Sequence, residues 1–129
     1  MRKNKTHRLG DLQLRIMKVL WERGEAAVSE VLDALDDTDA SLAYTTIATM
    51  LRKMEARGLV SHRAEGRSFI YRAKVAADDV SRSMANHLVD RLFEGSLLDA
   101  VNHLLSSREV SPDELRQLEK LIAERRKKR

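Results

Sequence analysis

The sequence predicts a mainly α-helical chain interrupted by one small β-hairpin, and three features carry that prediction. Apolar residues recur at helical spacing along most of the 129 residues. One stretch, Leu59 to Tyr71, alternates instead with the period of a strand, about the turn residues Ala64-Glu65-Gly66. A single proline and a charged fraction of 34% suit solvated helices more than a β-rich fold.

Leu12, Ile16, Val19 and Leu20 mark a first helix from about Asp11 to Glu22, with Gly10 at its N-cap and Trp21 as a core anchor near its end. Gly24 breaks the chain. Val28, Val31, Leu32 and Leu35 then define a short second helix, and Asp36-Asp37-Thr38-Asp39 a polar loop. The third helix runs from about Tyr44 to Arg57. Its cap, Ala43, is a poor one, costing roughly 1 kcal/mol against Ser. Leu42 and Ile47 can offset part of this as a hydrophobic staple.

At 100° per residue Ile47, Leu51 and Met54 share one side of the third helix, with Tyr44 and Met50 at the margins. The opposite side carries Thr45, Thr49 and Arg52, flanked by Thr46 and Lys53, and has no acid. Gly58 ends the helix at the position favoured for a left-handed cap. Leu59–Arg63 and Arg67–Tyr71 follow as alternating strands. Three helices, a glycine and a basic hairpin make an N-terminal winged helix-turn-helix, assigned to residues 1–74.

Beyond Lys74 the pattern is helical only. Val80, Met84, Leu88 and Leu92 step by four from about Ala77 to Glu94, where Gly95 intervenes. Ser96-Leu97-Leu98-Asp99 opens a short helix holding Leu97, Val101 and Leu104 or Leu105. Ser111-Pro112-Asp113-Glu114 opens a last one, with Leu115, Leu118 and Ile122. Three short amphipathic helices in about 55 residues cannot enclose a core alone. Residues 75–129 are therefore expected to form a three-helix dimerisation region, its contacts made by Val80, Met84, Leu88, Leu92, Val101, Leu115, Leu118 and Ile122.

Residues 1–74 hold 14 Lys+Arg against 10 Asp+Glu, whereas residues 75–129 hold 10 of each. The excess positive charge thus lies on the winged half, as a polyanion partner requires. With no cysteine, disulfides and thiolate chemistry are excluded. No apolar run approaches a membrane span, and Leu9-Gly10-Asp11 follows the basic N-terminus where a signal peptide needs an apolar stretch. The expectation is a cytoplasmic protein without membrane insertion. His7, His62, His87 and His103 lack metal-ligand spacing. No phosphate loop, nucleophile elbow or zinc-protease helix is present, so neither a cofactor nor an enzymatic activity is expected.

Taken together, Leu9-Gly10-Asp11-Leu12, Ile16-Met17-Lys18-Val19-Leu20-Trp21, Ala43-Tyr44-Thr45-Thr46-Ile47-Ala48-Thr49, Leu51, Lys53-Met54, Gly58-Leu59-Val60 and Glu65-Gly66-Arg67-Ser68-Phe69-Ile70-Tyr71 resemble the penicillinase-repressor family (the BlaI/MecI/CopY type). The order and spacing of these segments carry the resemblance across nearly the whole chain. It implies a homodimeric transcriptional repressor on an inverted-repeat operator of double-stranded DNA, often with TACA/TGTA-like half-sites. In the antibiotic-responsive members a membrane-bound sensor metalloprotease cuts the repressor in its dimerisation region. Such a protease is an implied partner here, and Asn102-His103-Leu104-Leu105 places the candidate bond at His103-Leu104, where the family has Asn-Phe. The C-terminal cysteines of the copper-responsive branch are missing.

Within this reading Thr45, Thr46 and Thr49 are candidate base contacts, since β-branched Thr is a poor choice for a merely solvated face. Arg52, Lys53, Arg63 and Arg67 are candidate phosphate anchors. The run Arg125-Arg126-Lys127-Lys128-Arg129 reads as a solvated tail. The competing class is a winged-helix module that binds protein rather than nucleic acid. It calls for an apolar or mixed-charge third-helix face and a wing that is not basic, unlike the residues found.

Overall fold

The computed structural model describes residues 9–36 and 42–128. The chain runs α1 (Asp11–Arg23), β1 (Ala26–Ala27), α2 (Val28–Asp36), α3 (Tyr44–Ala56), β2 (Val60–Glu65), β3 (Ser68–Ala73), α4 (Ala77–Phe93), α5 (Leu97–Ser107) and α6 (Pro112–Lys127). Most of the loop expected at Asp36-Asp37-Thr38-Asp39, the basic N-terminus to Arg8 and the final Arg129 lie outside the described residues.

Each helix end has a local cause. Gly10 caps α1 without a side chain, and its N–H donates to Gln13 Oε1 at 3.4 Å. Ala43 caps α3 in extended backbone with no side-chain hydrogen bond, as its methyl group dictates. Ser96 and Ser111 each accept from the backbone N–H three residues on, that of Asp99 or Glu114, at 3.0 Å. At the end of α3, Gly58 takes φ +82°; its N–H donates to Glu55 O and that of Leu59 to Met54 O, both at 3.0 Å. This Schellman closure turns the chain straight from α3 into the hairpin.

The sheet has the order β1-β3-β2, antiparallel throughout. Glu65 pairs with Ser68, so the hairpin loop is the two residues Gly66-Arg67, one place later than the sequence suggests. Gly66 has φ +63° and Arg67 keeps a negative φ, the requirement of a type II′ turn, whose twist matches that of paired strands. β1 was not legible in the sequence, because a two-residue strand has no period; only its partners Tyr71 and Ile70 define it.

By chain contacts the molecule divides into two compact units, Met1–Asn86 and His87–Arg129. The first has a continuous core of Leu9, Ile16, Met17, Val19, Leu20, Ala26, Val28, Val31, Leu35, Ile47, Leu51, Met54, Leu59, Val60, Tyr71 and Val80. It extends past Lys74 for two reasons. Trp21 Nε1–H, half-buried, donates to Val75 O at 2.9 Å, and Val80 is only 1% exposed within that core, with Met84 packed beside it. Val80 therefore belongs to the winged unit's interior rather than to the partner-facing stripe in which its spacing placed it. In the second unit Ala100, 3% exposed, is the one buried residue among those described. Leu88, Leu92, Leu97, Leu98, Val101, Leu104, Leu105, Leu115, Leu121 and Ile122 all remain exposed. That is the opposite of what apolar helices do when they form a finished core.

Candidate nucleic-acid interface

Packing of α3 decides which of its residues can meet a ligand. Ile47, Leu51 and Met54 are buried against α1, α2 and the sheet, so the other side must face outward. Thr45, Thr46, Thr49, Arg52 and Lys53 are all exposed on it. Arg52 Nη2 donates to Thr49 Oγ1 at 3.3 Å, which joins a hydroxyl and a guanidinium on neighbouring turns. Tyr44, at the first turn, is 53% exposed beside them. Gln13 braces the helix from behind, its Oε1 accepting from Arg57 Nη1 at 3.2 Å.

On the wing the alternation separates two faces. Val60, His62, Ala64, Phe69, Tyr71 and Ala73 lie on one, and Ser61, Arg63, Glu65, Ser68, Ile70 and Arg72 on the other. Tyr71 is buried, and that burial raises its phenol pKa above the ordinary value, with the Glu55 charge adding to it. His62 Nδ1 lies 2.8 Å and 3.0 Å from the two carboxylate oxygens of Glu55. Its ring stacks on Phe69 with centroids 4.2 Å apart and tilts against Tyr71 at 5.4 Å.

Arg63 and Arg67, alike in sequence, have different surroundings. Arg63 donates to Glu25 Oε2 at 3.0 Å and to Glu65 Oε1 at 2.9 Å. The hydrogen bond to Glu25 first, and then that to Glu65, raises its pKa above the usual guanidinium value. Two carboxylates and one guanidinium sum to a net negative charge, so Arg63 presents no free cation to a phosphate. Arg67 stands in the turn with no ion pair among the described residues. The sequence could not separate the two, because Glu25 is 38 positions from Arg63 and reaches it only through the fold.

The same carboxylates line an open polar cavity of about 550 Å³, with Ala27, Ser29, Glu30, Arg63, Ser68 and Ile70. Glu30 there accepts from Ala27 N–H at 2.8 Å and so serves the start of α2. The described residues hold no group of three or more His, Asp or Glu placed to bind a metal ion. No helix among them is long and apolar enough to cross a membrane.

In the second unit His103 packs its ring against Phe93 at 5.7 Å, and both His103 and Leu104 are exposed within α5. Of the expected dimer contacts beyond Met84, Leu118 is half-buried, and Leu88, Leu92, Val101, Leu115 and Ile122 are exposed. Leu98, 78% exposed, and Leu121 share this character, although they fall outside the apolar stripes expected from the sequence. The signal for Leu121 was its place three residues after Leu118 and beside Ile122.

A family model described as penicillinase repressor matches residues 9–124. The chain is 26% identical to the penicillinase repressor of Bacillus licheniformis over 125 residues, covering 97% of each chain. It is 33% identical over 122 residues to the transcriptional regulator BlaI of Mycobacterium tuberculosis, covering 93% of this chain and 86% of that one. Among solved structures, the DNA-binding domain of the repressor BlaI aligns with a TM-score of 0.51 at 31% identity, over 60% of this chain and 93% of that domain. The complex of hsRosR-S4 aligns with a TM-score of 0.56 over 94% and 93% of the two chains; at 17% identity it speaks to the fold alone.

Proposed function

The chain belongs to the penicillinase-repressor family of transcriptional repressors, and from that premise we propose how it holds DNA and how it lets go. The observation that carries the reading is the acid-free outer face of α3, Thr45, Thr46, Thr49, Arg52 and Lys53, together with Arg67 in the wing turn, which has no ion pair among the described residues. α3 enters the major groove. Thr45, Thr46 and Thr49 meet base edges through hydroxyls and through methyl contact with thymine. Arg52, Lys53 and Arg67 anchor phosphates and set register without reading sequence. Arg63 is not a primary anchor in this reading, because Glu25 and Glu65 already hold it.

Two copies bind together. The exposed apolar residues of α5, α6 and the second half of α4 have no cover among the described residues of their own unit, and a second copy of the chain supplies it. A two-fold dimer reads an inverted repeat with half-site centres about 10 base pairs apart, or a multiple of that. Linking two half-site contacts raises affinity without any new contact.

Release, in the same proposal, follows a cut at or near His103-Leu104 by a membrane sensor metalloprotease. α5 supports this, since Ala100 is its one buried residue and the helix is short, so it opens more readily than a packed one. A cut there detaches α6, with Leu115, Leu118 and Ile122, and leaves the first unit whole. Selection of duplexes from a random-sequence pool by the full chain tests the binding mode. Enrichment of an inverted repeat is expected; recovery without any shared sequence would sink it. Mass spectrometry of the protein from derepressed cells tests release, and an intact chain there excludes the cut.

A further inference from the structure

We infer that Glu55 and His62 are positioning residues that hold the wing at a fixed angle to α3 and thereby bring Arg67 to its phosphate. The inference rests on the proposed DNA-binding mode and adds to it two residues that do not touch DNA.

Glu55 lies on the last turn of α3, three residues after Arg52, and His62 is the third residue of β2. The two sit on either side of the Gly58 turn. His62 Nδ1 is 2.8 Å from Glu55 Oε1 and 3.0 Å from Oε2, so the carboxylate faces the ring nitrogen with both oxygens. The ring is held in turn between Phe69, stacked at 4.2 Å, and Tyr71 at 5.4 Å. Carboxylate, imidazole and phenyl ring thus connect the end of α3 to both strands of the hairpin. On the hairpin's other face, Arg63 holds Glu25 at 3.0 Å. Adjacent residues His62 and Arg63 point to opposite faces, and the wing is tied on both.

The ties matter because little else holds the outer hairpin. Past Val60 and Ser61 every residue of β2 is exposed, so apolar packing cannot set the direction of the tip. Three strand residues, about 10 Å, separate His62 from the turn that carries Arg67. A swing of about 15° at His62 would move the tip by roughly 3 Å, enough to break a hydrogen bond to phosphate.

Charge makes the test decisive. Glu55 is an anion near a DNA-facing helix, so removing it should tighten binding if it acts only through its charge. A positioning role predicts the reverse. The measurement is binding of the full chain to a duplex it has itself enriched from a random pool, across a range of salt concentrations. Arg67→Ala is expected to lower the salt slope by about 0.9, the loss of one phosphate contact. Glu55→Ala and His62→Ala should each weaken binding roughly fivefold and lower the slope similarly, although neither removes a cation from the interface. In the Arg67→Ala background neither change should weaken binding further. His62→Gln, which keeps a donor for Glu55, should restore most of the slope, and thermal unfolding identifies any variant that has lost its fold. Tighter or unchanged binding by Glu55→Ala and His62→Ala, where Arg67→Ala still costs its contact, overturns the clamp alone. If Arg67→Ala changes neither affinity nor slope, the wing contact falls and the clamp with it.

Discussion

At the scale of single residues, the structure separates side chains that the sequence groups together. Thr45 and Thr49 lie on the same exposed face, but the Thr49 hydroxyl also accepts from Arg52. Both Thr45→Ala and Thr49→Ala should cost on the order of 1–3 kcal/mol in operator binding and relax preference at particular base pairs. Thr49→Ala should in addition alter the contribution of Arg52, visible as non-additivity with Arg52→Ala in a double-mutant cycle. Unchanged sequence preference in both threonine variants would remove α3 from the major groove. Arg63 and Arg67 diverge in the same manner. Glu65→Gln should loosen one of the two carboxylates on Arg63 and tighten binding to any duplex at low salt, an effect that fades as salt rises. Weaker binding by that variant would mean that the Glu65 pairing itself supports the wing.

Tyr71 carries a pH dependence of stability whose sign follows from its burial. Desolvation disfavours the phenolate, so the folded-state pKa lies above the unfolded one. The folded state then retains a proton that the unfolded chain releases. Stability from this group is complete below pH about 10, the ordinary phenol value, and is lost as pH rises through the folded-state value. Urea unfolding midpoints between neutral and strongly alkaline pH should fall, and Tyr71→Phe should flatten that decline. An equal decline in the phenylalanine variant would assign it to other groups.

At the scale of elements, the ends of α3 decide how it is presented. Its N-terminus is left uncapped by Ala43, so Ala43→Ser should stabilise the chain by about 1 kcal/mol in urea unfolding. Its C-terminus needs Gly58 at φ +82°, where an added Cβ meets no atom within 4 Å but a residue with a side chain would be strained. Gly58→Ala should therefore destabilise by about 1 kcal/mol through conformation alone, without a steric clash. The helices were legible because their periods and punctuation are local: Ser111-Pro112 begins α6 and Gly58 ends α3 as the chain chemistry requires. The two-residue β1 was not, since its hydrogen bonds are to Tyr71 and Ile70, more than 40 positions away.

At the scale of the whole molecule, the two compact units make different demands. If the proposed dimer forms through these helices, Leu88→Asp or Leu118→Asp should shift the protein towards monomer in light scattering and lower operator affinity in parallel, because a charge would enter the proposed apolar contact. A dimer that survives both changes would place the association elsewhere. A chain ending at Asn86 should fold as a monomer. One ending at Lys74 should be less stable by about 2 kcal/mol or more, since it lacks Val80 and the Val75 carbonyl that pairs with Trp21. Equal unfolding midpoints for the two fragments would mean that Val80 contributes little to that core.

The sequence by itself determined the helices of this protein, the hairpin, the apolar side of α3 and its acid-free opposite, and with them the family. Each of these is written in residues a few positions apart, where period, cap and glycine act locally. Only the tertiary structure decided that Val80 turns inward, that Arg63 is held by Glu25 while Arg67 is not, and that Glu55 meets His62 across the turn. Residues on separate elements become neighbours only once those elements pack, and no local period records which side chains will then share a charge or a core.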